Sequence, residues 1–77
     1  MTTVYLLIIE DRHADVAVRV FAAKKDALAA ARDVFSEYKS VEGRDAHIDR
    51  DRPAEWLFAA TLTCEGDCLR VEAAEVE

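Results

Sequence analysis

The chain has 77 residues, of which 10 are Lys or Arg and 16 are Asp or Glu, giving a formal net charge of −6. This length suits one domain with a single thin core, so we expect residues 1–77 to form a single domain. A net negative charge repels nucleic acid and membrane surfaces, which argues against direct binding to either.

The start of the chain, "MTTVYLLIIED", has no basic leader. Its apolar run ends at Glu10 and Asp11 after about six residues, far short of a membrane span. We therefore expect a cytoplasmic location.

The first predicted element is a strand in "TVYLLIIE". Its apolar residues occupy both faces, with Val4, Leu6 and Ile8 alternating against Tyr5, Leu7 and Ile9. After the polar turn "DRHAD", the segment "VAVRVFA" predicts the return strand of a hairpin with a loop of about four or five residues.

The next segment, "AKKDALAAARDVFSEYK", has helical spacing and is rich in alanine, which has a high helix propensity. We expect this helix to end near Lys39. Its predicted apolar stripe consists of Ala27, Leu28, Ala31, Val34, Phe35 and Tyr38.

Residues 40–55 are predicted to be irregular, and Pro53 is tolerated just before a strand. The segment "WLFAATLTC" predicts a third strand with Trp56, Phe58, Ala60, Leu62 and Cys64 on one face. After an "EGD" turn, "CLRVEAAEV" predicts a fourth strand with Leu69, Val71 and Ala73 pointing inward.

The predicted fold is therefore α+β: a four-stranded antiparallel sheet in the order β-β-α-β-β, with two hairpins and one helix packed on one face. The far face would carry Tyr5, Leu7, Ile9, Phe21, Leu57 and Ala59. Because such an apolar face is costly to leave bare, either the sheet curls round itself or this face is an interface with a second copy of the chain or with another protein.

The two cysteines, Cys64 and Cys68, are interpreted as strand residues on either side of a turn. Their spacing differs from the Cys-x-x-Cys of redox motifs. If the turn has three residues, the two thiols face each other and could form a disulfide. A zinc site that adds His13 and His47 matches no known module spacing.

The remaining polar clusters also give no catalytic or metal signature. His13 lies in an acidic turn without a nucleophile nearby in sequence. The loop with Asp45, His47, Asp49 and Asp51 lacks the calcium-binding register and is interpreted as zwitterionic. We expect no enzyme activity, no cofactor and no metal.

Three segments carry a resemblance to a known class of proteins: the hairpin "VYLLIIEDRHADVAVRVFA", the Ala-rich helix and the closing hairpin "TLTCEGDCLRVEAAEVE". In size, charge and architecture the chain resembles the small acidic inhibitors of the anti-CRISPR type that phages and mobile elements carry. The resemblance covers most of the chain.

The resemblance implies a protein-binding inhibitor that occupies a basic DNA-binding site of a bacterial defence effector, where the PAM or target DNA is held, by DNA mimicry. Carboxylates about 7 Å apart on alternate strand positions can imitate phosphate spacing. The implied partner-binding residues are Glu65, Asp67, Glu72, Glu75 and Glu77, with Glu10, Asp11 and Asp15 as a second cluster. The alternative is a small homodimeric interaction module that uses the apolar sheet face.

Overall fold

One helix packs on one face of a five-stranded antiparallel sheet in the computed structural model, which describes residues 2–10, 16–63 and 66–76. The elements are β1 (Thr2–Glu10), β2 (Ala17–Phe21), α1 (Lys24–Glu42), a short 3-10 helix (Gly43–Asp45), β3 (His47–Ile48), β4 (Trp56–Thr61) and β5 (Cys68–Val76). The strand order is β2-β1-β5-β4-β3. The predicted α+β class is confirmed, and so are the pairing of β1 with β2 and that of β4 with β5.

The sheet has one strand more than the sequence predicted. The added strand is β3, in which His47 pairs with Thr61 and Ile48 with Ala60. The N–H of Asp49 extends this pairing by donating to the carbonyl of Ala59 at 2.9 Å. Two residues are too few to show an alternating pattern, so the segment reads as irregular in sequence.

Helix α1 continues to Glu42, past the predicted end at Lys39. It stops at Gly43, which has a φ of 60° and donates its N–H to the carbonyl of Lys39. Glycine adopts a positive φ without the steric cost that other residues meet there. The ammonium of Lys39 also donates to the carbonyl of Ala46 at 3.0 Å, which fixes the chain leaving the helix. None of the described helical segments has the length and hydrophobicity that crossing a membrane requires.

The core lies between α1 and the three central strands. Ala27 and Ala31 are fully buried on the helix, and their small side chains allow it to approach the sheet closely. From the sheet and the segment after β4, the core takes Leu7, Phe58, Ala60, Leu62, Leu69 and Val71. Ala73, which was expected to point inward, lies on the same face as Leu69 and Val71 by strand alternation but is exposed.

The helix covers the opposite face of β1 from the one expected. Leu7 pairs with Val71 across β1 and β5, and both are 0% exposed in the core. Directly paired residues on neighbouring strands point to the same face, so Tyr5 and Ile9 follow Leu7 toward α1. The predicted bare face is therefore wrong for Tyr5, Leu7, Ile9, Phe21 and Leu57, which pack in or against the core.

A β-bulge in β4 changes the direction of Trp56. Trp56 and Phe58 lie opposite adjacent residues of β5, Glu72 and Val71, which makes Leu57 the extra residue. Phe58 enters the core, whereas Trp56 turns to the sheet face away from α1 and contacts Arg70 there. The prediction that Trp56 and Phe58 share an inward face is wrong, because the bulge interrupts the alternation.

The guanidinium of Arg52 holds the backbone at this bulge. It donates to the carbonyls of Trp56 at 3.1 Å, Asp49 at 3.2 Å and Leu57 at 3.3 Å. A bulge leaves backbone groups without a strand partner, and here one planar side chain satisfies carbonyls on both sides of the loop before β4.

We predict that Arg52→Ala lowers the free energy of unfolding by about 1–2 kcal/mol, because three carbonyls lose a charged donor. Arg52→Lys should restore less than half of this loss, since a single ammonium cannot match the fork of the guanidinium. Urea unfolding measures both variants against Arg50→Ala, whose side chain makes no hydrogen bond within the described residues. Equal stability of Arg52→Ala and Arg50→Ala would contradict the assignment.

Candidate functional site

The candidate site is the sheet face directed away from α1, which we call the open face. Among the described residues, no helix covers it. The strand register assigns side chains to it in pairs: Leu6 with Val20, Ile8 with Val18, Ile8 with Arg70, Leu6 with Glu72, Trp56 with Glu72, and Thr61 with Cys68.

One part of the open face is apolar and exposed. Val18 and Val20 of β2 are 53% and 63% exposed, and Val16 and Val76 are exposed to a similar degree. In the strand register Val20 lies opposite Leu6 of β1 and Val18 lies opposite Ile8, whereas Val76 lies opposite Thr2 at the other end of β1. Contiguous exposed apolar surface of this kind marks interaction sites on small proteins.

The other part is polar and is organised by Arg70 of β5. Its guanidinium contacts Glu10 of β1 at 2.6 Å and donates to Glu72 at 2.9 Å. The same group lies 5.2 Å from the centroid of the Trp56 ring, within the range of a cation–π contact. One side chain therefore links three strands across the open face.

The ion pairs change the acidity of Glu10. Its hydrogen bond with Arg70, followed by the charge of Arg70, lowers the pKa of the Glu10 carboxyl below its ordinary value of 4.5. The hydrogen bond to Glu10 raises the already high pKa of Arg70. Both groups therefore keep their charges at neutral pH, and the pair is a fixed feature of the surface.

Cys68 lies beside this pair, in surroundings that disfavour its thiolate form. Its Sγ is 3.8 Å from Oε2 of Glu10. Burial, followed by the charge of Glu10, raises the pKa of the Cys68 thiol above its ordinary value of 9.0. Because only the thiolate reacts readily, this environment opposes redox and nucleophilic chemistry at neutral pH.

Cys68 pairs with Thr61, and the N–H of Leu62 donates to the carbonyl of Asp67 at 2.7 Å. The connection therefore spans residues 62–67, and the predicted three-residue turn is wrong. Cys68 is a free thiol, and Cys64, with which the sequence allows a disulfide, lies outside the described residues.

Asp49 forms a smaller polar cluster on the far side of Cys68. The Thr61 hydroxyl donates to both Asp49 carboxylate oxygens at 3.2 Å, and Nε2 of His47 is 3.3 Å from Oδ1. These contacts are local side-chain pairs at the β3–β4 edge. In residues 2–10, 16–63 and 66–76, no group of three His, Cys, Asp or Glu side chains could hold a metal ion.

The predicted acidic set is divided between two faces. Glu10 and Glu72 come together on the open face, both bound to Arg70. Glu75 is three positions from Glu72 on the same strand, so it points to the opposite side, where it is exposed. Asp67 lies in the β4–β5 connection, and four members of the set, Asp11, Asp15, Glu65 and Glu77, lie outside the described residues, as does His13.

Three features of the open face were not recognised from the sequence: Arg70 as its centre, Trp56 on its surface and the exposure of Val18 and Val20. The alternation "VAVRV" was visible and did place the valines on one face. Which face α1 covers depends on the pairing of β1 with β5, and that pairing carries no local signal.

The comparisons with protein-family models, curated proteins and solved structures give no match to this chain.

We predict that the contribution of the Glu10–Arg70 pair to stability depends on pH. The pKa of Glu10 is lower in the folded state, so the pair's contribution is present above the ordinary carboxyl pKa. It is lost as the pH falls through the folded value. Wild type should therefore exceed Glu10→Gln in unfolding free energy near neutral pH, and the gap should close as the pH falls below the ordinary carboxyl pKa of 4.5 and through the lower folded value.

Urea unfolding at several pH values over this range measures the unfolding free energies of wild type and Glu10→Gln. The matched control is Glu55→Gln, because Glu55 is exposed and makes no ion pair within the described residues. A gap between wild type and Glu10→Gln that stays constant with pH would contradict the role given to this pair.

Proposed function

We propose that this protein is a non-catalytic protein-binding module and that the open face of the sheet is its contact surface. The observation that carries the proposal is the exposure of Val18 and Val20 beside a charged cluster centred on Arg70. Protein interfaces commonly combine an apolar area, from which water is excluded, with a polar rim that fixes orientation.

The apolar part supplies affinity. Covering a half-exposed valine side chain contributes about 1 kcal/mol, and several such residues lie together here. The same side chains contribute little to the core, because they lie on the face away from α1. Their exposure is therefore better explained by a partner than by the folding of the chain itself.

The polar part supplies orientation and charge preference. The carboxylates of Glu10, Glu72 and Asp49 outnumber the guanidinium of Arg70 on this part of the face. Arg70 and Trp56 hold the cluster in one arrangement, so little side-chain entropy remains to be lost on binding. Such a surface favours a partner with a basic face.

The partner class follows from the resemblance to anti-CRISPR inhibitors. We propose a host protein in the bacterial cytoplasm whose basic surface binds DNA, a CRISPR effector being the leading candidate. The net charge of −6 supports attraction to such a surface. Because Glu72 and Glu75 point to opposite sides, inhibition is proposed to come from occupying the basic site with the mixed open face, with Glu10 and Glu72 as the acidic contribution.

The test is a pull-down from a bacterial lysate, washed in rising salt and read by mass spectrometry. We expect Val20→Asp to retain about tenfold less of the partner than wild type, because a buried charge costs at least the corresponding 1.4 kcal/mol. Val41→Asp is the matched control, since Val41 is 82% exposed on α1 and the substitution adds the same charge.

The recovered protein should bind DNA alone and release it when this protein is added, and higher salt should weaken the complex. Two results would contradict the proposal: equal recovery by Val20→Asp and Val41→Asp, or a recovered partner whose DNA binding is unaffected. Unfolding curves of both variants confirm that each remains folded.

A further inference from the structure

The outer edge of β2 differs from the other edge of the sheet. β2 ends the strand order, and within residues 2–10, 16–63 and 66–76 its only neighbouring strand is β1. Its five residues pair with β1 without a bulge, and residues 16–20 are all exposed. The opposite edge, β3, has only two residues, which is too short to accept a regular partner strand.

In the part of the chain that the structure describes, the β2 edge also has little of the usual protection against pairing. Natural edge strands are commonly blocked by proline, lysine, bulges or covering segments. The segment from Val16 to Phe21 contains no proline and a single charge, Arg19. The guanidinium of Arg19 lies 5.1 Å from the centroid of the Phe21 ring, two residues along its own strand.

We propose that β2 pairs antiparallel with β2 of a second copy of this chain, joining two sheets into one across a two-fold axis at Val18. This proposal concerns self-association and does not rest on the function proposed above. It differs from a dimer through the sheet face containing Leu7 and Ile9, because that face is covered by α1.

The sequence of β2 is self-complementary in this register. Val18 lies opposite Val18 of the second copy, and Val16, which directly precedes β2, lies opposite Val20, so the valines form one apolar row on the open face. On the other face Arg19 lies opposite Ala17, so no like charges meet. A two-fold axis at Arg19 would instead place two guanidinium groups directly opposite each other.

The pairing satisfies the outward N–H and C=O groups of β2 and covers its valines in part. Each copy carries a net charge of −6, and this repulsion opposes association at low ionic strength. Added salt should therefore strengthen the dimer, whereas it should weaken a complex with a basic partner.

Sedimentation equilibrium on the full chain over a range of concentrations tests the proposal. Wild type should shift from monomer to dimer with concentration, and the shift should occur earlier at higher salt. A monomer at every concentration up to about 1 mM would overturn the proposal. Association that weakens with added salt would also overturn it.

Charge placed at Ala17 tests the register. Ala17→Glu puts a carboxylate opposite Arg19 of the second copy, and Ala17→Lys puts a second cation there. With two such pairs per dimer, we expect Ala17→Glu to tighten the dimer and Ala17→Lys to weaken it, each by about two- to thirty-fold.

The matched controls are Val41→Glu and Val41→Lys, which make the same changes in net charge at an exposed helix position. If the Ala17 variants shift the dissociation constant no more than these controls, another surface mediates association and the proposal fails. The side chain of Ala17 lies on the same side of the sheet as Ile9, away from the open face, so these variants leave the proposed contact with a different protein intact.

Discussion

Ala27 and Ala31 are fully buried where α1 meets the sheet, and this close contact builds the core on one face of the sheet. A helix is about 10 Å wide, whereas five strands at about 4.8 Å spacing span roughly 19 Å. One helix therefore covers the middle of one face and nothing on the other. The buried residues follow this limit, because they lie mainly on β1, β4 and β5. Val18 and Val20 of β2 remain exposed for the same reason.

Arg70 organises the charged part of the sheet face that α1 leaves uncovered. An isolated exposed ion pair contributes little to stability, so the value of this cluster lies in its connections. A guanidinium shared between Glu10 and Glu72, with Trp56 beside it, joins β1, β5 and β4 on the sheet face that α1 does not cover. It also neutralises part of the acidic charge. The open face is consequently an apolar and charged surface of fixed shape, unlike a continuous row of free carboxylates.

The residue pattern predicted the helix, four of the strands and both hairpins, because long alternating or helical runs carry a strong local signal. It did not predict the face of β1 that α1 covers, since both faces of "VYLLII" are apolar and register with β5 decides between them. The face to which the Trp56 side chain points could not be predicted either, because a bulge adds one residue to the strand without a sequence signature. The acidic residues were grouped because they lie close together in the sequence. Side chains alternate between the two faces of a strand, so Glu72 and Glu75, three positions apart, point to opposite faces.

The most direct test of this account is an NMR measurement on the isolated protein at a concentration where it is monomeric. Nuclear Overhauser effects should connect the methyl groups of Ala27 and Ala31 with Leu7 and Val71. A soluble paramagnetic agent should broaden the methyl signals of Val18 and Val20 strongly. Overhauser contacts from α1 to Val18 or Val20, or protection of those methyls in the monomer, would contradict the claim that this face of the sheet is open.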